Sequence, residues 1–143
     1  GGKTGGVMAS PAVADGVIYV FSNDVIAENL GSDGPGSGSA FALDGATGAV
    51  LWRTDIQPGA FGGIAVANGL MFFATLDATV YALNTENGAV LWQAKMLDGN
   101  IGKAAGGVTV AGGMVYAGAG WDWVGITPPA GGVTAFALPE AEE

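Results

Sequence analysis

The stretch Ala42-Leu43-Asp44-Gly45-Ala46-Thr47-Gly48-Ala49-Val50-Leu51-Trp52 returns forty positions later as Ala82-Leu83-Asn84-Thr85-Glu86-Asn87-Gly88-Ala89-Val90-Leu91-Trp92. A tandem period near forty, with strand-like sequence on both sides of a turn, points to a propeller or a solenoid. The turn chemistry is readable. Asp44 or Asn84 ends one strand, and its side chain can accept hydrogen bonds from backbone N–H groups just downstream. Gly48 or Gly88 supplies a positive φ at the end of the connection. The Trp that follows is large enough to bridge to a neighbouring sheet, and its indole N–H needs an acceptor if buried.

A second pattern precedes each copy. Ser10-Pro11-Ala12-Val13-Ala14-Asp15-Gly16-Val17-Ile18-Tyr19-Val20-Phe21 reads as strand, Asp-Gly turn, strand. It returns as Ile64-Ala65-Val66-Ala67-Asn68-Gly69-Leu70-Met71-Phe72-Phe73 and again as Val108-Thr109-Val110-Ala111-Gly112-Gly113-Met114-Val115-Tyr116-Ala117. Each hairpin leads to a third strand, predicted over 39–43, 79–83 and 133–138, and the first two continue through the repeated turn into a fourth. Four short antiparallel strands make one propeller blade. The expected fold is therefore all-β, about three four-stranded antiparallel blades of a β-propeller: blade 1 about 10–55, blade 2 about 62–96, blade 3 about 105–138 and incomplete, with a tail over 139–143. The hairpin glycines Gly16, Gly69 and Gly113 are 53 and 44 residues apart. The excess lies in insertions, chiefly 23–38, whose Gly- and Ser-rich composition reads as a flexible surface loop. Residues 1–10 read as a lead-in. Three blades fall short of the roughly four to eight that close a ring. The expectation is a portion of a larger chain, or a piece that associates with other chains, with the strand missing after Leu138 supplied by another segment.

Composition narrows the function. Half of the 143 residues are apolar and 12% are charged, which argues against disorder. A net charge of −9 with four basic residues argues against nucleic acid and anionic membrane surfaces. There is no His and no Cys, so a His-based triad, an imidazole metal site and thiolate chemistry are all excluded within this chain. No apolar run approaches the roughly 20 residues of a membrane-spanning helix. Gly1 does not look like a natural start, so processing or truncation is expected to have removed what came before.

The repeated Ala-x-Asp/Asn-x-x-Thr/Asn-Gly-x-x-x-Trp resembles the tryptophan-docking motif of the pyrroloquinoline quinone (PQQ) enzyme repeat. Ala42, Asp44, Thr47, Gly48 and Trp52 match it fully; Ala82, Asn84, Gly88 and Trp92 match with Asn87 in place of Thr. A narrower likeness runs from Phe61-Gly62-Gly63 through the second hairpin to Ala74-Thr75-Leu76-Asp77, which is similar to a late segment of quinoprotein alcohol dehydrogenases, with a feel of the polyvinyl alcohol dehydrogenase-like members. In those enzymes the aromatic is usually a Trp beside the quinone; here it is Phe61, and Ala78 stands where Gly is usual. Gly99-Asn100-Ile101-Gly102 and Gly118-Ala119-Gly120-Trp121 sit where that family approaches its cofactor funnel. The resemblance implies an eight-bladed propeller, of which this chain is the C-terminal portion. It also implies a PQQ-dependent dehydrogenase oxidising an alcohol, calcium bound by parts outside this chain, a cytochrome c electron acceptor, and a bacterial periplasmic or secreted location. The alternatives are a non-catalytic PQQ-like propeller serving as a scaffold for protein partners, and an accessory subunit whose short propeller closes by self-association.

A planar anionic quinone calls for aromatic stacking, backbone donors and a few cations. Phe61, Gly62 and Gly63 are the candidate wall, and the ordinary alternative for Phe61 is plain core. Lys103, beside a Gly-rich run, is the better cation candidate than Arg53, against an ordinary solvated lysine. Trp121-Asp122-Trp123 reads either as a pocket lining or as loop anchoring with Asp122 as a turn acceptor. No catalytic base is identified. Asp24, Glu28, Asn29 and Asp33 are loose calcium candidates whose spacing does not fit an EF-hand.

Overall fold

The computed structural model describes residues 3–26, 37–96, 104, 106–120 and 131–137, and among these every regular element is a strand. In chain order they are β1 (Lys3–Val7), β2 (Ala12–Ala14), β3 (Val17–Ile26), β4 (Ser37–Asp44), β5 (Val50–Ile56), β6 (Ala65–Ala67), β7 (Leu70–Ala74), β8 (Thr79–Asn84), β9 (Val90–Lys95), β10 (Val108–Ala111), β11 (Met114–Ala119) and β12 (Gly132–Ala137). They form three antiparallel sheets in sequence order: β1-β3-β4-β5 with β2 also on β3, then β6-β7-β8-β9, then β10-β11-β12. Successive sheets stack face to face, as propeller blades do.

Two stretches differ from the sequence expectation. Residues 3–7, read as lead-in, form β1 and pair with the far half of β3, Lys3 opposite Ile26 and Val7 opposite Ser22. Residues 23–26 and 37–38, read as part of a loop, lengthen β3 and β4, with Asn23 opposite Gly38 and Asp24 opposite Ser37. The cause is backbone proximity rather than side-chain preference: a Cβ on Gly5 would collide with the Asn23 carbonyl, and one on Gly38 with the Phe21 ring. Glycines that lower strand propensity are here what lets the strands meet. The expected extra strand for the third sheet concerns residues after Leu138, which lie outside the described ones.

The core follows from the two-residue strand period. On β7, Met71 and Phe73 point into a cluster shared with the first sheet, where they meet Tyr19, Phe21, Ala40, Ala42 and Trp52. Their neighbours Phe72 and Ala74 join Val80, Ala82, Val108, Val115 and Ala117 in a cluster shared with the third sheet. A strand covered on both faces loses the apolar–polar alternation, which is why Leu70-Met71-Phe72-Phe73-Ala74 is apolar throughout. Phe21 and Phe73 meet across the first interface with ring centroids 5.1 Å apart, and within the second sheet Phe73 stacks on its strand partner Tyr81 at 5.5 Å.

Each tryptophan of the repeat reaches the next sheet. Trp52 is 8% exposed, and its Nε1–H donates to the Thr85 carbonyl at 2.8 Å. Its ring lies against Gly88, where a Cβ would sit 2.6 Å from the ring, and Thr54 Oγ1 donates to the Gly88 carbonyl at 2.7 Å. Trp92 meets Phe136 of the third sheet edge to face at 5.2 Å. The turns behave as their residues dictate. Asp44 Oδ1 accepts from the N–H groups of Ala46 and Thr47 and from the Thr47 hydroxyl; Asn84 Oδ1 accepts from Glu86. All three hairpins carry the paired positive φ of a type I′ turn, at Asp15-Gly16, Asn68-Gly69 and Gly112-Gly113.

The first strands of the units, β2, β6 and β10, approach one another, and backbone bonds tie their leading ends. Ile64 N–H donates to Ser10 O, and Val108 N–H donates to Gly63 O, each at 3.2 Å. Counting back by the hairpin offsets, the residue equivalent to Ile64 and Val108 in the first unit is Pro11, which has no N–H.

Candidate functional site

The tight hairpin turns gather at one end of the sheets. At the other end the chain crosses from β5 to β6 through 57–64, and this crossing touches all three sheets. From the first sheet, Asn23 clamps it: Nδ2–H donates to Ala60 O at 2.8 Å and Oδ1 accepts from Ala60 N–H at 2.9 Å. From the second, Leu76 N–H donates to Gly59 O at 2.9 Å. Toward the third, Gly63 O takes the Val108 bond, and Gly62 lies so close to Gly106 that a Cβ would collide with its carbonyl. Phe61, half-buried, stands at the junction of the three sheets.

Phe61, Gly62 and Gly63, the wall residues expected from the sequence, are consecutive on this crossing, between the Asn23 clamp at Ala60 and the bond from Val108. Gly62 is glycine because the Gly106 backbone fills the space a side chain would need. Gly63 has room for a Cβ at ordinary contact distance from Ser10 and Gly107. What the arrangement can offer a flat ligand is the half-exposed Phe61 side chain, set on a backbone whose next residue, Gly62, is itself buried against Gly106. The other expected site residues, Lys103, Trp121 and Asp122, lie outside the described residues, as do Glu28, Asn29 and Asp33. Sequence reading missed Asn23. The signal was present: alternation along Tyr19, Phe21 and Asn23 puts an amide in a core-facing slot, and such a residue must find partners.

The carboxylates near this end are committed to structure. Asp77, in the turn between β7 and β8, is partly buried, which opposes its charge. Hydrogen bonds from Lys95, Thr75 and Thr79, with the Lys95 charge, outweigh that and hold its carboxyl below the ordinary value. Asp55 is held low by the Ser39 hydroxyl and by Arg53, whose Nε–H donates to it at 2.8 Å. Asp55 lines a recess of about 350 Å³ with Asp24, Ser37, Ser39 and Arg53 on the outer face of the first sheet. Among the described residues no group of three or more acidic side chains converges to hold a metal ion. Among the described residues no helix is long and apolar enough to cross a membrane.

Solved structures with the same fold include large enzymes. The quinohemoprotein alcohol dehydrogenase ADHIIG from Pseudomonas putida HK5 superposes with a TM-score of 0.67 at 26% identity, over 92% of this chain and 19% of that one. The quinohemoprotein alcohol dehydrogenase from Comamonas testosteroni gives 0.62 at 26% identity, over 82% and 18%. BamB from Moraxella catarrhalis gives 0.52 at 16% identity, over 80% and 44%, a likeness of fold alone. The chain therefore spans about a fifth of the length of the dehydrogenases it matches. No curated protein sequence matches it. A family model described as outer membrane protein assembly factor BamB matches residues 36–137. With more than half of its length under that model, and with tandem four-stranded units to match, the chain belongs to this PQQ-repeat family of β-propeller proteins.

Proposed function

We propose that these sheets are blades of a PQQ-dependent dehydrogenase that oxidises an alcohol, and that they supply one wall of its cofactor funnel. The observation that carries the reading is the junction at Phe61-Gly62-Gly63, where all three sheets meet, in a chain 26% identical to two quinohemoprotein alcohol dehydrogenases. Bound PQQ would supply the two-electron oxidant for the alcohol. The chain's own part is binding and orientation: the Phe61 ring would pack on the edge of a flat group, and Gly62 and Gly63, close against Gly106 and Gly107, would set where that ring stands. Lys103, Trp121 and Asp122 complete the proposed lining. Calcium would be held by blades outside this chain, the electrons would leave to an acceptor of the cytochrome c class, and the setting would be the bacterial periplasm or outside the cell.

A second reading has its own support. The family model carries the description of an outer-membrane assembly factor, which fits a propeller that binds proteins rather than a quinone. Reconstitution with PQQ and calcium separates the two. The dehydrogenase reading expects quinone absorbance to remain with the protein after gel filtration, and dye reduction with alcohols once the rest of the propeller is present. Protein that retains no quinone in either setting would sink it in favour of the scaffold.

A further inference from the structure

Asn23 is fully buried, yet it lies on β3 in the inward slot that continues Tyr19 and Phe21. An aliphatic side chain there would extend the core, whereas an amide must be desolvated and then satisfied. Both halves of its carboxamide go to one residue, Ala60, which receives a donor and gives one as it would to a neighbouring strand. The fit leaves no tolerance at Gly59, where a Cβ would collide with Asn23 Oδ1. Segment 59–64 is not a strand. Its other hydrogen bonds are single backbone bonds to Leu76, Ser10 and Val108, so among the described residues Asn23 is the one side chain that hydrogen-bonds it, beside the packing of Ala60 and Ile64 in the first cluster. Phe61, Gly62 and Gly63 follow directly.

We propose that Asn23 is the positioning residue of the Phe61-Gly62-Gly63 rim, its carboxamide standing in for a strand's peptide group and fixing where that rim sits against the mouth of the propeller. The ligand part of this inference rests on the reading of the rim as a cofactor wall; the clamp itself does not.

The test compares the wild-type chain with Asn23→Leu, Asn23→Asp and, as a control at the opposite end of the sheets, Leu83→Ala. Two quantities are read: amide hydrogen exchange over residues 60–64, and affinity for PQQ by quenching of tryptophan fluorescence. Asn23→Leu removes both bonds while keeping the bulk apolar. Exchange at 60–64 rises with β7 and β8 still protected, and PQQ affinity falls on the order of tenfold, the scale of losing a buried hydrogen bond. Leu83→Ala destabilises the fold but leaves PQQ affinity within about twofold, because its cost is confined to its own cavity. Asn23→Asp supplies a signature that loss of packing cannot imitate. The new carboxyl, when neutral, can donate and accept as the amide does; when ionised it can only accept. Burial raises its pKa, so this variant behaves like wild type in acid and like Asn23→Leu as pH rises, while wild type shows no such dependence. Unchanged exchange at 60–64 in Asn23→Leu overturns the clamp whatever PQQ does. Equal loss of affinity in Leu83→Ala overturns positioning. Wild-type fluorescence that PQQ does not quench, in the chain alone and with the rest of the propeller present, overturns the cofactor reading on which the ligand part depends, while the exchange data still decide the clamp.

Discussion

Gly48 and Gly88 occupy the same place in the repeat, with φ of 74° and 71°, but they do different jobs. Nothing lies within 4 Å of a Cβ built on Gly48, whereas one on Gly88 would meet the Trp52 ring and Thr54 Oγ1 at 2.6 Å. Gly48→Ala therefore carries only the left-handed backbone penalty, about 1–2 kcal/mol. Gly88→Ala adds overpacking against a buried indole, about 1–3 kcal/mol more, and weakens the bond from Trp52 to Thr85. Urea denaturation of the two variants measures the difference directly. Equal losses would mean that the Trp52 ring does not depend on the bare glycine beneath it.

At the scale of the element, the β7–β8 connection carries a charged network beside the burial of Thr75 and Ala78. Thr75 Oγ1 donates to Asp77 Oδ1 at 2.6 Å, and Lys95 binds both the Asp77 carboxylate and its carbonyl. Because the folded carboxyl titrates below its unfolded value, its stabilisation is present above about pH 4 and is lost as pH falls through the folded pKa. The urea midpoint should drop on acidification below about pH 4, and Asp77→Asn should flatten part of that drop. Asp44 and Asp55, also held low, act in the same direction. An identical acid profile in the variant would remove Asp77 from the account.

Elements also divide into those that could be read beforehand and those that could not. The hairpins at Asp15-Gly16 and Asn68-Gly69, and the turns headed by Asp44 and Asn84, were legible because local chemistry decides them: small polar residues and glycine tolerate positive φ. β1 was not legible, since Lys-Thr-Gly-Gly-Val has weak strand preference and forms only because the long β3 offers it an edge. The rim was legible as a glycine pair after an aromatic. Its support was not, because Asn23 and Ala60 are 37 residues apart and no local pattern links them.

At the scale of the molecule, two apolar clusters share the middle sheet, one with each neighbour. Stability should then be close to a sum over neighbouring pairs, as in repeat proteins. Val115→Ala, in the second cluster, should raise hydrogen exchange through β10, β11 and β12 and leave β3, β4 and β5 near wild-type protection. A uniform rise over all strands would instead mark one cooperative unit. Each outermost face carries an exposed apolar side chain, Val13 on the first sheet and Val133 on the third, both more than two-thirds exposed.

Pro11 gives the molecule a direction. The amide hydrogens of Ile64 and Val108 each point back to a carbonyl of the preceding unit, so the linkage is one-way: every unit after the first donates to its predecessor. The leading unit has a ring nitrogen in that position and can only receive. A neighbour set in front of it would receive no such backbone bond from this position, so that seam is one hydrogen bond poorer than the two that join the units here.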